Sequence, residues 1–174
     1  MFPHIAFAGY ARAGKDTACD LLVNEFGYTK TAFGSVMKRQ IDPFVRQFLG
    51  FSAFTEVDAE KKKIRALLEC WGDTFYEAIT KEFFDTLPDK AANARIVREP
   101  EAREWVKRGG IIVEIQRPGY GPSTDWERDR LEELRATGLI SCEISASYKW
   151  DLQHLVRQMV IDWNLGSPMP RYER

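Results

Sequence analysis

Apolar positions along the chain follow two alternating rhythms. Short, largely apolar runs read as strands over His4–Ala8, Thr29–Phe33, Ala94–Val97, Gly110–Ile115 and Cys142–Ser145. Between them the apolar positions recur at helical spacing. Ala18, Leu21, Leu22 and Phe26 form one stripe, with Gly27 as a stop. Met37, Ile41, Phe44, Val45 and Phe48 form a second, predicted to be bent or broken at Pro43. Ile64, Leu67, Leu68, Trp71 and Phe75 form a third that continues towards Phe83. Thr86–Asn93 reads as a surface connector, and a charged helix is expected from Pro100. Pro118–Thr124 is a loop and Glu127–Thr137 a polar helix. Leu152, Leu155, Val156, Met159, Val160 and Trp163 mark the clearest amphipathic helix. This alternation predicts an α/β fold: a parallel sheet of about five strands with helices on both faces.

Composition narrows the class. A chain of 174 residues fits one domain of ordinary size, expected to span 1–174. With 44% hydrophobic and 29% charged residues it reads as a soluble globular protein. The net charge of −1 excludes general binding to nucleic-acid polymers, so any phosphate site must come from cations placed locally. Lys61-Lys62-Lys63 is too short for a nucleic-acid tract and reads as a solvated face. Cys19, Cys70 and Cys142 show no metal-ligand spacing and read as reduced, buried thiols of a cytoplasmic protein. No apolar run reaches membrane-span length, and Met1-Phe2-Pro3-His4 lacks the character of a signal peptide. His4 and His154 have no partner at metal or triad spacing and read as structural.

Gly9-Tyr10-Ala11-Arg12-Ala13-Gly14-Lys15-Asp16-Thr17 carries the spacing Gly, four residues, Gly, Lys, after a strand and before a helix. Backbone amides in such a loop wrap phosphates, the helix start adds its positive end, and Lys15 supplies a point charge. The expected nucleotide contacts are Gly9, Arg12, Ala13, Gly14, Lys15, Asp16 and Thr17. Where other such loops place a hydroxyl on magnesium, this one has Asp16. That carboxylate either faces the metal or serves as a helix-start residue. Gly9, Phe33, Arg98 and Arg117 all fall just after predicted strands, so they are expected at one edge of the sheet, where ligands of open α/β folds collect.

Together these segments resemble the phage-type deoxynucleoside monophosphate kinases. The loop Arg12…Gly14-Lys15-Asp16-Thr17 is similar to that family's phosphate loop. Ala32-Phe33-Gly34 with Met37-Lys38, Leu67-Leu68 with Trp71-Gly72, Val97-Arg98 with Pro100-Glu101-Ala102, Gly109-Gly110 and Arg117-Pro118 follow in the family's order. The resemblance implies a P-loop kinase-like fold with a helical substrate-binding region over 34–92. It also implies ATP and Mg²⁺ as cofactors and a deoxynucleoside monophosphate as acceptor. The site would lie in a cytoplasmic protein, in the host's cytoplasm if phage-encoded, whose partners are nucleotides rather than membranes. Oligomeric state, a homodimer included, is left open. The chain departs from the family where Ile96 stands in place of an aspartate and where the segment after Val-Arg is one residue shorter.

On this reading Lys15, Arg98 and Arg117 are the catalytic cations. Phe33, Lys38, Arg65, Trp71, Asp73 and Arg98 are acceptor-binding candidates, with Arg39 a weaker one. Each has a plainer alternative: surface pairing for the cations, core packing for Trp71 and Phe33, a helix cap for Asp73 where the helix breaks at Gly72. Residues 118–130 are either a lid carrying Arg128 or Arg130 over the phosphates or a plain connection. Two rival functions stay open: a P-loop kinase of another small molecule, and a nucleotide-binding regulatory module without catalysis.

Overall fold

In the computed structural model the described residues are 3–96, 98–164, 166, 172 and 173. Met1, Phe2 and Val97, expected at the chain start and at the end of the third strand, lie outside them. In chain order the elements are β1 (Ile5–Ala8), α1 (Lys15–Phe26), β2 (Thr29–Thr31), α2 (Phe33–Leu49), α3 (Asp58–Thr74), α4 (Tyr76–Asp85), β3 (Ala91–Asn93), α5 (Glu99–Lys107), β4 (Ile111–Gln116), α6 (Asp125–Ala136), β5 (Cys142–Ser145), α7 (Lys149–Asn164) and β6 (Tyr172–Glu173). The chain divides into two compact units, Met1–Thr31 with Pro88–Arg174, and Ala32–Leu87.

The first unit is an all-parallel sheet in the order β2-β3-β1-β4-β5-β6. Five strands carry it, and β6 adds two residues at the edge. β1 and β4 are buried along almost their whole length, as strands covered on both faces must be. Ile5, Phe7, Ile111, Val113, Ile115 and Ile144 face a core shared with Leu22 of α1 and Val156 and Met159 of α7. Ile112 and Glu114 alternate to the opposite face of β4, on which α5 packs together with α6. Because β1 lies in the middle, the loop that follows it emerges at the centre of the carboxyl edge.

The third strand departs from the sequence expectation. Ala91–Asn93, taken as the end of a connector, forms the strand, and Ala94–Ile96 does not. The reason is steric. Ala91 and Ala92 have no accessible surface between two neighbouring strands, and small residues there carry no β-branched signal. Ile96 is buried and its N–H bonds Phe7 O at 3.2 Å, but the ladder has already ended. The oxygen-bearing side chain at the end of this strand is therefore Asn93, not a residue at position 96. β2 also ends early, so that Phe33 opens a helix rather than closing a strand.

The second unit holds α2, α3 and α4 around Ile41, Val45, Ala53 and Ile64. α2 runs unbroken through Pro43, correcting the expected break; proline there removes one donor from the helix. Its carboxyl end is fastened by Asp42, which accepts bonds from Arg46 Nε (2.7 Å), Ser52 Oγ (2.6 Å) and Ala53 N–H (2.7 Å). Those partners hold the Asp42 carboxyl down to about 2. α3 also continues through Gly72, where a break was expected. A Cβ at Gly72 would sit 2.8 Å from Met37 Sδ, so the glycine admits the neighbouring helix. Cys19 and Cys142 are buried, and burial lifts both thiols to about 12. Cys70, expected to be buried, is exposed on α3. Among the described residues no helix is long and apolar enough to cross a membrane.

Candidate active site

The loop between β1 and α1 takes its path from two glycines and one strained arginine. Gly9 has φ 129°, and a Cβ there would run into the carbonyl of Ile115 on β4. Gly14 has φ 108°, and a Cβ would sit 2.5 Å from Leu152 Cδ2 on α7. Between them Arg12 holds φ 64°, a region that non-glycine residues seldom occupy outside functional turns. The glycines thus let the loop nestle between β4 and α7 while its amides stay near the surface.

Lys15 opens α1 and folds back over the loop. Its Nζ donates to Gly9 O at 2.7 Å and to Tyr10 O at 2.6 Å. Burial depresses its ammonium below the usual lysine range; Arg95 adds to this, while Glu127 and Asp16 oppose it. The loop faces a cavity of about 350 Å³ lined by Arg12, Gly14, Lys15, Asp16 and Thr17, with Arg117, Ser147, Tyr148 and Lys149 opposite. A second cavity, about 240 Å³, lies on the other side of Ala13 and Arg117, between Tyr10, Glu114, Tyr120 and Arg135. There the fully buried Glu114 is engaged by both Arg135 Nε (3.0 Å) and Arg135 Nη2, and by Gln116 Nε2 at 3.0 Å.

The expected site residues separate into two groups, with Arg98 in neither. Gly9, Arg12, Ala13, Gly14, Lys15, Asp16, Thr17 and Arg117 all come together around the phosphate loop. Arg117 also lies over the Tyr120 ring, 4.3 Å from its centroid. Asp16 is 81% exposed and pairs with Lys30 at 3.1 Å, with Asp20 sharing the same ammonium. Arg98 is the N-cap of α5, and its N–H reaches Glu101 Oε2 at 3.4 Å. The rest lie in the helical unit. Phe33 stacks on Phe83 (centroids 3.9 Å). Trp71 donates to Gln40 Oε1 at 2.8 Å and packs on Phe75. Arg65 pairs with Glu69 at 3.3 Å, Lys38 lies over Phe54, and Asp73 is exposed within α3. Arg128 pairs with Asp125 and Arg130 with Glu133, both along α6.

Three residues near the loop were missed by sequence reasoning. Arg95 follows β3, its N–H bonded to Asn93 Oδ1 at 2.9 Å, and its charge is felt by Lys15. It had no signal because the third strand was placed over it. Tyr148 borders the larger cavity and stacks beside Trp150. Glu127 receives the Ala11 N–H at 2.6 Å across 116 residues of sequence, a contact no local pattern announces.

A solved structure shares this architecture. The shikimate kinase from Acinetobacter baumannii, determined in complex with shikimate, superposes with a TM-score of 0.52 over 95% of this chain and 94% of that one, at 15% identity. The fold is of the P-loop kinase-like α/β type. No family model and no curated protein matches the sequence. Within a P-loop kinase fold, the loop after the central strand is where nucleotide phosphates are held. Oxygen donors for a divalent cation are present beside it, in the Asp16 carboxylate and the Thr17 hydroxyl. Among the described residues no three acidic, histidine or cysteine side chains gather as a metal site. A magnesium ion here would fit as one bound chiefly by phosphates and water, with one or two protein oxygens, as is usual for that ion.

Proposed function

We propose that this chain transfers the γ-phosphoryl group of ATP to a small acceptor, and that the acceptor is a deoxynucleoside 5′-monophosphate. The observation that carries the first half is the larger cavity. Arg12, Arg117 and Lys149 line it beside Lys15, and among the described residues none of the three has a carboxylate partner. A chain of net charge −1 that gathers four cations at one cavity against the single carboxylate of Asp16, itself paired with Lys30, is arranged to receive an anion. Phosphoryl transfer requires little covalent chemistry from the protein; positioned cations and amides supply most of the effect. Lys15 is held ready by two loop carbonyls and can exchange them for phosphate oxygens. Arg95 and Arg98, after β3, are cations for the acceptor side, and magnesium, held through Asp16 or Thr17, would neutralise charge on the phosphates.

The second half rests on the ordered resemblance through Ala32-Phe33-Gly34, Trp71-Gly72 and Arg117-Pro118, with 34–92 as the acceptor-binding region and 118–130 as a lid. A second reading, a kinase of another small molecule, is favoured by the neighbour solved with shikimate. One assay separates them: ATP turnover with magnesium against four deoxynucleoside monophosphates, ribonucleotide controls and shikimate. Diphosphate formed from at least one deoxynucleotide supports the proposal. Turnover with another acceptor alone replaces it, and nucleotide binding without any turnover leaves a regulatory module.

A further inference from the structure

The helix that begins within the predicted lid, α6, starts in an unusual way. Thr124 caps α6, accepting the Glu127 N–H at 3.2 Å. In a capping box the glutamate three residues on would return to the cap residue's own N–H. Glu127 instead extends away from it. One carboxylate oxygen accepts the N–H and the hydroxyl of Ser123, both at 2.8 Å. The other accepts the backbone N–H of Ala11, inside the phosphate loop, at 2.6 Å. Burial raises the Glu127 carboxyl, but the bonds from Ser123 and Ala11 and the charge of Lys15 outweigh it and leave it below its usual range.

A carboxylate beside an anion-binding loop opposes phosphate by charge, so its presence there calls for a reason. Two observations supply one. Arg12, the residue after Ala11, sits at φ 64°, a conformation that holds only when its neighbours fix it. Glu127 fixes the amide immediately before it. Further, Glu127 is absent from the lining of the larger cavity, while Arg12 through Thr17 line it. The carboxylate therefore grips the outer side of the loop. It ties that loop to Ser123, near the end of the segment that opens with Arg117, another residue of the same cavity.

The geometry points to Glu127 as a positioning residue. It clamps the phosphate loop through Ala11 and joins it to the Arg117 segment, so that loop and arginine meet a nucleotide's phosphates as one preformed surface. This rests on reading the cavity as a nucleotide site.

The test separates reach from charge. Glu127→Asp keeps the charge but is one methylene too short to span Ser123 and Ala11. Glu127→Gln loses the charge, keeps one oxygen for Ala11 and turns a donor towards the Ser123 N–H. With ADP as the calorimetric probe, Glu127→Asp and Glu127→Ala are expected to raise Kd by about tenfold, the scale of one hydrogen bond to a charged group. Glu127→Gln, which keeps the Ala11 bond but not the one from the Ser123 N–H, is expected to fall between wild type and Glu127→Ala, and the acceptor's KM to be unchanged in all variants that fold. A Kd that follows charge instead, with Glu127→Asp like wild type and both Glu127→Gln and Glu127→Ala binding ADP more tightly, overturns the proposal, as does Ala binding ADP like wild type. If the unaltered protein binds no ADP, the nucleotide reading fails. Glu127 is then judged in the ligand-free protein by hydrogen exchange at the Ala11 amide. Exchange at least about tenfold faster in Glu127→Asp upholds the clamp, and equal exchange overturns it.

Discussion

The substitution Gly9→Ala tests the closest approach in the phosphate loop. Gly9 has φ 129°, where an L-residue is strained whatever its surroundings, and the added Cβ would meet the Ile115 carbonyl on the adjacent strand. The backbone term is of order 1–3 kcal/mol for a sparsely populated conformation. The overlap cannot be relieved by turning a side chain, because its partner is backbone in β4, and overpacking of this kind costs a further ~1–3 kcal/mol. Together these remove about 2–6 kcal/mol from a domain whose whole stability is roughly 5–15 kcal/mol. For a chain of this length that lowers Tm by about 5–20 °C, at 2–4 °C per kcal/mol. Gly34→Ala is the control. Gly34 lies in α2 with nothing within 4 Å of a Cβ and no positive φ, so alanine should raise stability by about 1 kcal/mol through helix propensity. Thermal unfolding followed by circular dichroism reads both. A Gly9→Ala protein melting within about 2 °C of wild type, roughly 1 kcal/mol or less, would refute the reasoning, because loop and β4 could not then lie in contact.

Other outcomes follow from the same site. Lys15→Ala should lower turnover by about 10²-fold or more, the scale of one electrostatic contact to the transition state, while Tm stays near wild type; a near-normal rate removes the phosphate-loop assignment. Arg98→Lys should raise the KM of the monophosphate more than that of ATP, because a lysine cannot make two parallel bonds to phosphate; equal changes in both KM values count against that placement. Asp16→Ala should weaken the magnesium dependence of turnover more than metal-free nucleotide binding, with Asp16→Ser recovering part; an unchanged magnesium titration leaves Asp16 as a partner of Lys30 only. His4 Nδ1 accepts the Ala91 N–H at 3.2 Å and needs its neutral form, and burial, with Arg108 beside it and Asp89 opposing, lowers its pKa from 6.5. The unfolded chain therefore takes up the proton first as pH falls below 6.5, and stability drops there. The Tm advantage of wild type over His4→Gln should narrow from pH 7.5 to about 5.5, checked by parallel melts.

What could be read from the sequence was what depends on local spacing. Gly9, Gly14 and Lys15 announce the phosphate loop because its chemistry requires those residues at that interval. Cys142–Ser145 and the helix through Met159 were legible because apolar periodicity is the direct imprint of burial. β3 was misplaced because Ala91 and Ala92 are buried by being small, a property periodicity does not carry, while Ile96 is buried outside the ladder. The helical register of Gly72 and Pro43 was hidden for a similar reason: each looks like a breaker, yet one admits Met37 and the other costs a single donor. The pairing of Asp16 with Lys30 and of Ala11 with Glu127 joins segments that only the folded sheet brings together.

The distribution of charge gives the phosphate reading a basis independent of the loop motif. Most arginines here are neutralised by carboxylates. Arg39 pairs with Glu82, Arg46 with Asp42, Arg103 with Glu99, Arg135 with Glu114 and Arg157 with Glu25. Among the described residues Arg12, Arg95 and Arg117 have no such partner, and all three belong to segments leaving the carboxyl ends of β1, β3 and β4. Those strands are adjacent in the sheet, with β1 in the middle. Like charges gathered at one edge repel one another and lower stability unless an anion is bound between them. At Lys15 burial is the main cause of the lowered pKa; Arg95 adds to it, while Glu127 and Asp16 oppose it. A bound polyphosphate would reverse it, because an anion beside Lys15 favours the charged form. On the proposed function a nucleotide bound there offsets that repulsion, and the protein should melt higher with ATP present.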